Sequence, residues 1–563
     1  MGSPQTFAGL WDRAVRNHTD HTFLLFRADS GAVSTWTYAE FDALVEGVAA
    51  RLTACGVRPG SPVHVVLRNC PAFVALWLAT SRLGAWMVPV DPASSARDVA
   101  RHVTRTRPVV TVCATARQAT VREGADGRVP YVLPLTETAA DLAPGSLLLA
   151  APRSRPERSA LPRPEDRIAV MFTSGTTSEP KAVELTQRNY LHVATAMADL
   201  SGLGPMDRWY VCLPLFHANA QYYCFASAIA VGASVGLTAR FTASRWPHEV
   251  AELGATHASL FAAPIRMILA RRRADAPALA LRHVWFAQNL AHGQWAELAG
   301  LCGVAPRQIY GMTETLAVVT AAPPDGPDPA RIGAVVPGRH VVLLDPVTGR
   351  PVPDGEPGVL TLAGHRGKDL FRGYLDHPAA NARAFPDLGL PVPESGQVWF
   401  STGDLVRREA DGQFSFVGRV DDVIKVAGEN VSLTEVEAAL AEAPGVLEAA
   451  VVAAPDPVRD QVPVAYVVPS DPEHPPTAVR LDAWAADRLT PASRPRAWTV
   501  VDALPRTSVG KIRRFRLTPS PEGALPTAPA NCSGSVHVQD TRVRSPAGAA
   551  DPTKDQSRPM GRK

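Results

Sequence analysis

The spacing of apolar positions changes repeatedly along the chain, and the changes predict its elements. From Tyr38 to Cys55 the apolar residues recur at helical spacing, Pro62 to Leu67 is a β-rich run, Pro71 to Leu83 is again helical, and Ala85 to Val90 reads as a strand. Strands alternating with helices predict an α/β fold built on mostly parallel sheets. The pattern resumes further on. Thr186 is placed to cap a helix running through Asn189 to Leu200, and Trp209 to Leu215 forms a short apolar strand. Val284 to Ala287 reads as a strand, Ala291 to Cys302 as a helix and Arg307 to Tyr310 as the next strand.

Between residues 330 and 418 the pattern shortens to runs such as Val341 to Leu344, Gly358 to Leu362 and Gln413 to Val417, separated by Pro, Gly and Asp. They predict a β-rich subdomain. Beyond Asp421 a separate unit begins, in which Ser432-Leu-Thr-Glu435 has the form of a capping box ahead of a helix holding Val436, Ala439 and Leu440. Strands at Leu447 to Val452 and Val464 to Val468 complete an α+β unit of about 100 residues, within the size range of an independent domain. The expected boundaries are therefore 1–418, 419–520 and a tail, 521–563, whose Pro, Gly, Ser and charge composition predicts disorder. Ala151 to Pro164, rich in Pro, Arg and Ser, reads as an exposed connection.

Composition narrows the class. A chain of 563 residues, 46% hydrophobic, is long enough for more than one core. Its 57 basic and 54 acidic residues leave a net charge of only +3, which argues against nucleic acid or an anionic membrane as partner. Arg271-Arg-Arg273 reads as a solvated helix end. The seven cysteines are scattered without zinc or redox spacing, so reduced thiols and a cytoplasmic protein are expected. No apolar run approaches the roughly 20 residues of a membrane span. Met1-Gly-Ser-Pro-Gln-Thr6 fits the loose myristoylation pattern, which is too permissive to carry weight.

Candidate chemistry starts at Met171 to Thr186, where Thr173, Ser174, Gly175, Thr176, Thr177 and Lys181 fall within a few residues. A glycine that permits a tight turn, hydroxyl donors and a mobile cation together suit a phosphate group, although the P-loop spacing is absent and a Ser/Thr-rich surface loop remains the plain alternative. Phe216-His217-Ala-Asn-Ala-Gln-Tyr-Tyr223 follows the Trp209 strand, at the kind of position where α/β sheets build ligand crevices; a half-buried histidine among packing aromatics is the alternative. Tyr310-Gly-Met-Thr-Glu-Thr315, Ser401-Thr-Gly-Asp404, Gly418-Arg-Val-Asp-Asp-Val-Ile-Lys425 and Pro505-Arg-Thr-Ser-Val-Gly-Lys511 come next in order. By itself, an aspartate in a turn such as Asp404 is usually a turn former.

With these motifs in this order, the chain resembles the adenylate-forming enzymes, which include acyl-CoA ligases, luciferases and the adenylation domains of peptide synthetases. The resemblance covers roughly residues 5 to 518, and within the family it is nearest to crotonobetaine/carnitine-CoA ligase-like members. It implies an N-terminal AMP-binding domain, 1–418, and a mobile C-terminal lid, 419–520, hinged at Asp421, which presents Ala427-Gly428 to the thiol. It implies ATP as substrate, with Thr173, Ser174, Gly175, Thr176, Thr177 and Lys181 on the β- and γ-phosphates and Glu314 on Mg²⁺. Tyr310 would stack on adenine beside Gly311 and Met312, Thr313 would touch the α-phosphate, Asp404 would accept the ribose hydroxyls, and Arg419 would reach ribose or phosphate. Lys511 would bridge the carboxylate and α-phosphate oxygens during adenylation. His217, counted with Glu314 and Lys511 as catalytic, would gate the substrate path and line the pocket with Asn219, Gln221 and Asn289.

These polar residues favour a small polar or aromatic acid over a long alkyl chain. The expected acceptor is CoA or a carrier thiol, the latter on a separate carrier protein. An alternative within the same family activates nitrite as its AMP ester for attack by an aryl amine in bacterial secondary metabolism, such as antibiotic biosynthesis. A minor alternative is a non-catalytic nucleotide or acyl-AMP sensor. The chain departs from the family pattern at Phe286-Ala-Gln-Asn-Leu290, where a Gly-Gly-Ala-Pro-like turn is usual. It departs also at Ser178 and Ala182, where glycine is usual, and at Val509.

Overall fold

The computed structural model describes residues 3–150, 161–173, 180–506 and 512–517. The chain divides into two units, a larger one reaching Ile424 and including Asn430–Glu435, and a smaller one holding Lys425–Glu429 and Val436–Pro505. Asp421 is exposed in a single 3-10 turn, Val420–Asp422, shortly before that division. Ala427 and Gly428 just beyond it are both left-handed, at φ +50° and +89°.

The larger unit is α/β, as the alternating pattern predicts. Its first sheet has nine strands, ordered Ala334–Val335, Thr320–Ala321, Arg307–Tyr310, His283–Ala287, His257–Phe261, Arg208–Val211, Ser234–Thr238, Thr22–Arg27 and Val33–Thr37. From Arg307–Tyr310 to Thr22–Arg27 every pairing is parallel, and the edges are antiparallel. The second sheet has seven strands, in which Arg167–Thr173, Trp86–Pro89, Pro62–Val66, Val110–Ala114 and Tyr131–Leu135 run parallel. Lys181–Thr186 and Gly373–Tyr374 add an antiparallel edge to it.

Strands covered on both faces read as continuous apolar runs, and Trp86–Pro89 and Val110–Ala114 are buried at every position. Helices Phe7–Asn17, Tyr38–Ala54, Pro71–Arg82 and Gln187–Ser201 supply the covering, and one core joins Trp11, Phe23, Trp77, Tyr190, Trp209 and Phe225. A third, four-stranded antiparallel sheet, His340–Leu344, Pro357–Gly364, Val398–Arg408 and Phe414–Arg419, forms the expected β-rich part.

The helix after Lys181–Thr186 starts where its cap predicts. Thr186 Oγ1 accepts from Asn189 N at 3.1 Å, Asn189 Oδ1 accepts from Thr186 N at 2.9 Å, and the same Thr186 hydroxyl donates to Gly367 O at 2.6 Å. Thr186→Ala therefore removes a cap and strands a carbonyl, and should lower unfolding stability by about 1–2 kcal/mol, read as the shift of a urea denaturation midpoint.

In the smaller unit, strands Val446–Asp456 and Asp460–Pro469 form an antiparallel hairpin that is longer than the apolar runs alone predict, and Trp498–Val500 pairs parallel with its second strand. Helix Ala478–Arg488 docks through Trp484, whose Nε1 donates to Ala439 O at 2.8 Å. In the Asn430–Glu435 segment, which belongs to the larger unit, Ser432 Oγ accepts from Glu435 N at 3.2 Å, the forward half of the predicted capping box. The connection at 151–160 and the tail at 521–563 lie outside the described residues.

Among the described residues no helix is long and apolar enough to cross a membrane. The described cysteines, Cys55, Cys70, Cys113, Cys212, Cys224 and Cys302, are unpaired and buried.

Candidate active site

The expected turn at Asp404 is a strand. Val398–Arg408 runs through it for 11 residues, with Gly403 at φ +73° and a register shift between Leu405 and Val406 that re-aims the side chains. Asp404 lies directly across the ladder from Arg419 on Phe414–Arg419, so their side chains meet, Arg419 Nε standing 3.3 Å from Asp404 Oδ1. Tyr310, at the end of its parallel strand, donates its phenol proton to Asp404 Oδ2 at 2.6 Å. Thr402 steadies both neighbours: its Oγ1 accepts from Asp404 N at 3.1 Å and its carbonyl from Arg419 Nη2 at 3.4 Å.

Burial first, and then the facing Asp404, push the Tyr310 phenol well above its ordinary value. For Arg419 burial works against the charge, but the carboxylates around it, Asp404 foremost, outweigh burial and hold the guanidinium above its usual range. Three residues expected to touch a nucleotide separately thus form one cluster.

A second cluster lies around Glu314. Tyr310 leads through Gly311 and Met312 into a 3-10 turn, Thr313–Thr315, in which Thr315 Oγ1 accepts from Met312 N at 3.0 Å. Gly311 is a glycine because of its surroundings: a Cβ there would stand 3.0 Å from the Tyr223 hydroxyl oxygen and 3.1 Å from Val318 Cα. Leu316 closes the turn at φ +62°, a conformation that bulky residues avoid. Buried Arg339 compensates by donating to Thr315 O at 2.6 Å and Ala317 O at 3.1 Å. The Glu314 carboxylate accepts from Tyr374 Oη at 3.0 Å, and Lys181 Nζ stands 5.1 Å from the centre of the Tyr374 ring.

Burial raises the Glu314 carboxyl above its ordinary value, and the Tyr374 hydrogen bond and the charges of Lys181 and Arg419 offset part of that rise. A carboxylate held this way fits a divalent cation, which would favour its charged form. Among the described residues no group of three His, Cys, Asp or Glu side chains forms a metal cage.

Thr173 and Lys181 face each other across the ladder, with Thr173 Oγ1 donating to Lys181 O at 3.4 Å. Ala182 beside them is an ordinary buried strand residue. Ser174, Gly175, Thr176, Thr177 and Lys511 lie outside the described residues. Tyr374 and Arg339 were not anticipated. The isolated Gly373-Tyr374 pair was the available signal for the first, and a lone arginine in an apolar run gave none for the second.

Around His217, the strand expected over Trp209 to Leu215 ends at Val211, and residues Asn219–Ala226 wind as a π-helix instead of extending the strand. Every residue of that π-helix is buried, so no amphipathic period marks it. Gln221 is not poised for a ligand: its amide donates to Leu215 O at 2.6 Å and accepts from Tyr190 Oη at 2.6 Å, which commits both ends to the scaffold. Asn219 differs. Its Nδ2 donates to Ser259 Oγ at 2.9 Å, while its buried Oδ1 has no hydrogen-bond partner.

His217 is half-buried against the Phe216 ring, with centroids 4.6 Å apart. Asn289 is half-buried, and its carbonyl accepts from Arg266 Nη2 at 2.8 Å. Its neighbour Gln288 is left-handed at φ +75°, so the turn that lacks the usual glycines keeps a backbone that favours glycine.

Residues 11–375 match the AMP-binding enzyme family, and residues 435–511 match the AMP-binding enzyme C-terminal domain. The chain is 32% identical over 527 residues to a sulfoacetate–CoA ligase of Cupriavidus necator, covering 91% of this chain and 97% of that protein. It is 28% identical to a crotonobetaine/carnitine–CoA ligase of Salmonella arizonae, covering 90% and 98%. A solved benzoate CoA ligase from Burkholderia xenovorans shares the fold, with a TM-score of 0.78 and 24% identity over 91% of this chain and 99% of that one.

Proposed function

Since the chain belongs to the AMP-binding enzyme family and is an AMP-forming acid–thiol ligase, we propose that it adenylates a small polar or aromatic carboxylic acid with ATP, releases pyrophosphate, and transfers the acyl group to CoA. The observation that carries the reading is the pair of clusters built on one stretch of chain, Tyr310 with Asp404 and Arg419, and Glu314 with Tyr374 and Lys181. They would supply what acyl adenylation needs, a polar grip for a ribose and opposite charges for a triphosphate and its cation.

In the first step a carboxylate oxygen of the acid attacks the α-phosphorus, and the bond to pyrophosphate breaks. The work is mainly positioning and charge neutralisation. Asp404, a charged acceptor facing Tyr310 and Arg419, would take the ribose hydroxyls. Thr173 and Lys181 would meet the leaving phosphates, together with Ser174 to Thr177. Glu314 would hold Mg²⁺, which neutralises phosphate oxygens when bound. Lys511 would stabilise the charge developing between acid and α-phosphate.

For the acid, His217, Asn289 and the unpaired amide oxygen of Asn219 support a polar or aromatic substrate. The relatives named for sulfoacetate and crotonobetaine/carnitine act on small acids, and both names include CoA. That favours CoA over a separate carrier protein, and over the nitrite and aryl amine route.

The test is a coupled pyrophosphate assay with ATP and Mg²⁺ across small sulfonated, quaternary-ammonium and aryl acids, with mass spectrometry of the CoA products. Acid-dependent pyrophosphate release followed by a CoA thioester is expected. Release with nitrite and an aryl amine, and with none of the acids, would overturn the reading.

A further inference from the structure

One segment outside all the sequence motifs connects the Lys181 strand to the Glu314 turn. Residues 367–374 are anchored at one end on the cap of the helix that follows Lys181–Thr186: Gly367 O accepts from Thr186 Oγ1 at 2.6 Å, and Lys368 O and Leu370 O each accept from Asn189 Nδ2 at 2.8 Å. Along its length it holds the turn that carries Glu314. Phe371 N donates to Glu314 O at 3.0 Å, and Asp369 O accepts from Arg339 Nη1 at 2.8 Å, the same arginine that grips Thr315 and Ala317.

The segment ends in Gly373–Tyr374, paired with Glu184 and Val183. There Asn381 clamps the Tyr374 backbone from both sides: its Oδ1 accepts from Tyr374 N at 2.6 Å and its Nδ2 donates to Tyr374 O at 2.9 Å. Gly373 sits at φ +151°, where an added Cβ would stand 2.8 Å from Arg366 Nη2 and 3.0 Å from Asn381 Oδ1, so a side chain there would be strained and would press on the clamp. The product of this bracing is one phenol, 5% exposed, with its hydroxyl on Glu314 and its ring facing the Lys181 ammonium.

We propose that Tyr374 is a positioning residue for adenylation, its hydroxyl orienting the Glu314 carboxylate for the divalent cation that accompanies ATP and its ring face holding the Lys181 ammonium for the phosphates. The proposal rests on the adenylation reading above. A tyrosine present only for packing would serve equally well as phenylalanine. A positioning tyrosine separates the two roles: phenylalanine keeps the ring beneath Lys181 and loses the bond to Glu314, while leucine loses both.

The experiment is calorimetry of ATP binding to the full chain with and without Mg²⁺, for the wild type, Tyr374→Phe and Tyr374→Leu, with melting temperatures alongside. In the wild type Mg²⁺ should tighten ATP binding. Tyr374→Phe should bind metal-free ATP as the wild type does, yet lose about tenfold of the Mg²⁺-dependent gain, the factor carried by one hydrogen bond to a charged group. Tyr374→Leu should lose metal-free affinity as well. An unchanged Mg²⁺ gain in well-folded Tyr374→Phe would overturn the proposal and leave the ligase reading intact. Wild-type ATP binding that is indifferent to Mg²⁺ would remove the role of Glu314 and the proposal with it, and failure of the wild type to bind ATP at all would remove the adenylation reading itself. Should Tyr374→Leu not fold, the phenylalanine variant alone decides.

Discussion

Lys511→Ala should lower acid-dependent pyrophosphate release by about 10²–10³-fold, the loss typical of removing one preorganised partner of developing transition-state charge. The ATP affinity measured by calorimetry should change little, because a contact made mainly in the transition state adds little to ground-state binding. A second measurement isolates the step. Supplied with preformed acyl-adenylate and CoA, the variant should make thioester at close to the wild-type rate, since the charge that Lys511 is proposed to stabilise belongs to the first half-reaction. Wild-type pyrophosphate release in the variant would remove Lys511 from the chemistry, and equal loss of both half-reactions would point to damage of the fold.

Asp404→Ala should weaken ATP binding and destabilise the larger unit together, because this carboxylate serves the fold as well as the proposed ribose site. Removing it leaves the Tyr310 phenol without its acceptor and Arg419 without its facing carboxylate. An unsatisfied buried partner costs about 1–3 kcal/mol, and Arg419, whose side chain is 36% exposed, recovers some of its share by hydration. The lost ribose contacts would weaken nucleotide binding by a further factor of about ten or more. Asp404→Asn keeps the volume and one acceptor, so it should recover most of the stability and less of the affinity. Calorimetric ATP titrations and denaturation midpoints of the two variants separate these effects, and unchanged affinity in both would reduce Asp404 to a structural role.

The strands and helices that could be read directly are those with a clear period and a clear burial pattern. Pro62–Val66 and Trp86–Pro89, apolar and covered on both faces, fall within a residue or two of expectation, and Gln187–Ser201 begins at the threonine whose side chain caps it. Val398–Arg408 was hidden because Ser-Thr-Gly-Asp carries turn-forming residues, and only pairing with strands on both sides makes it extended. The π-helix was hidden for the opposite reason, since uniform burial erases the contrast from which a period is read.

Within the site, Tyr310, Glu314, Asp404 and Arg419 were legible because they stand in short motifs. What the motifs did not contain was how these residues meet. Tyr374 lies 60 residues from the glutamate it bonds, and Asp404 lies 94 residues from Tyr310. Gln221 illustrates the converse: a polar residue beside a candidate histidine looked like a ligand contact, but the buried backbone and phenol around it required its amide.

The π-helix at Asn219–Ala226 has a consequence for how this protein can diversify. A π-turn amounts to an α-turn with one residue inserted, and its wider winding is retained where the neighbouring α-helical segment, here Ser227–Val231, stays in place. Deleting one residue within it would return the segment to α-register with both flanks in place, because the wider winding absorbs the extra residue, and only residues inside the turn would change the direction they face. Which residue meets Ser259 from this turn would then depend on where the deletion falls. If this turn lines the acid pocket as proposed, acid preference is open to single-residue insertion and deletion as well as to substitution, while the Tyr310, Glu314 and Asp404 elements stay untouched. Homologous ligases with different acids should accordingly differ in length at this turn more often than at the strands that carry Tyr310 and Asp404.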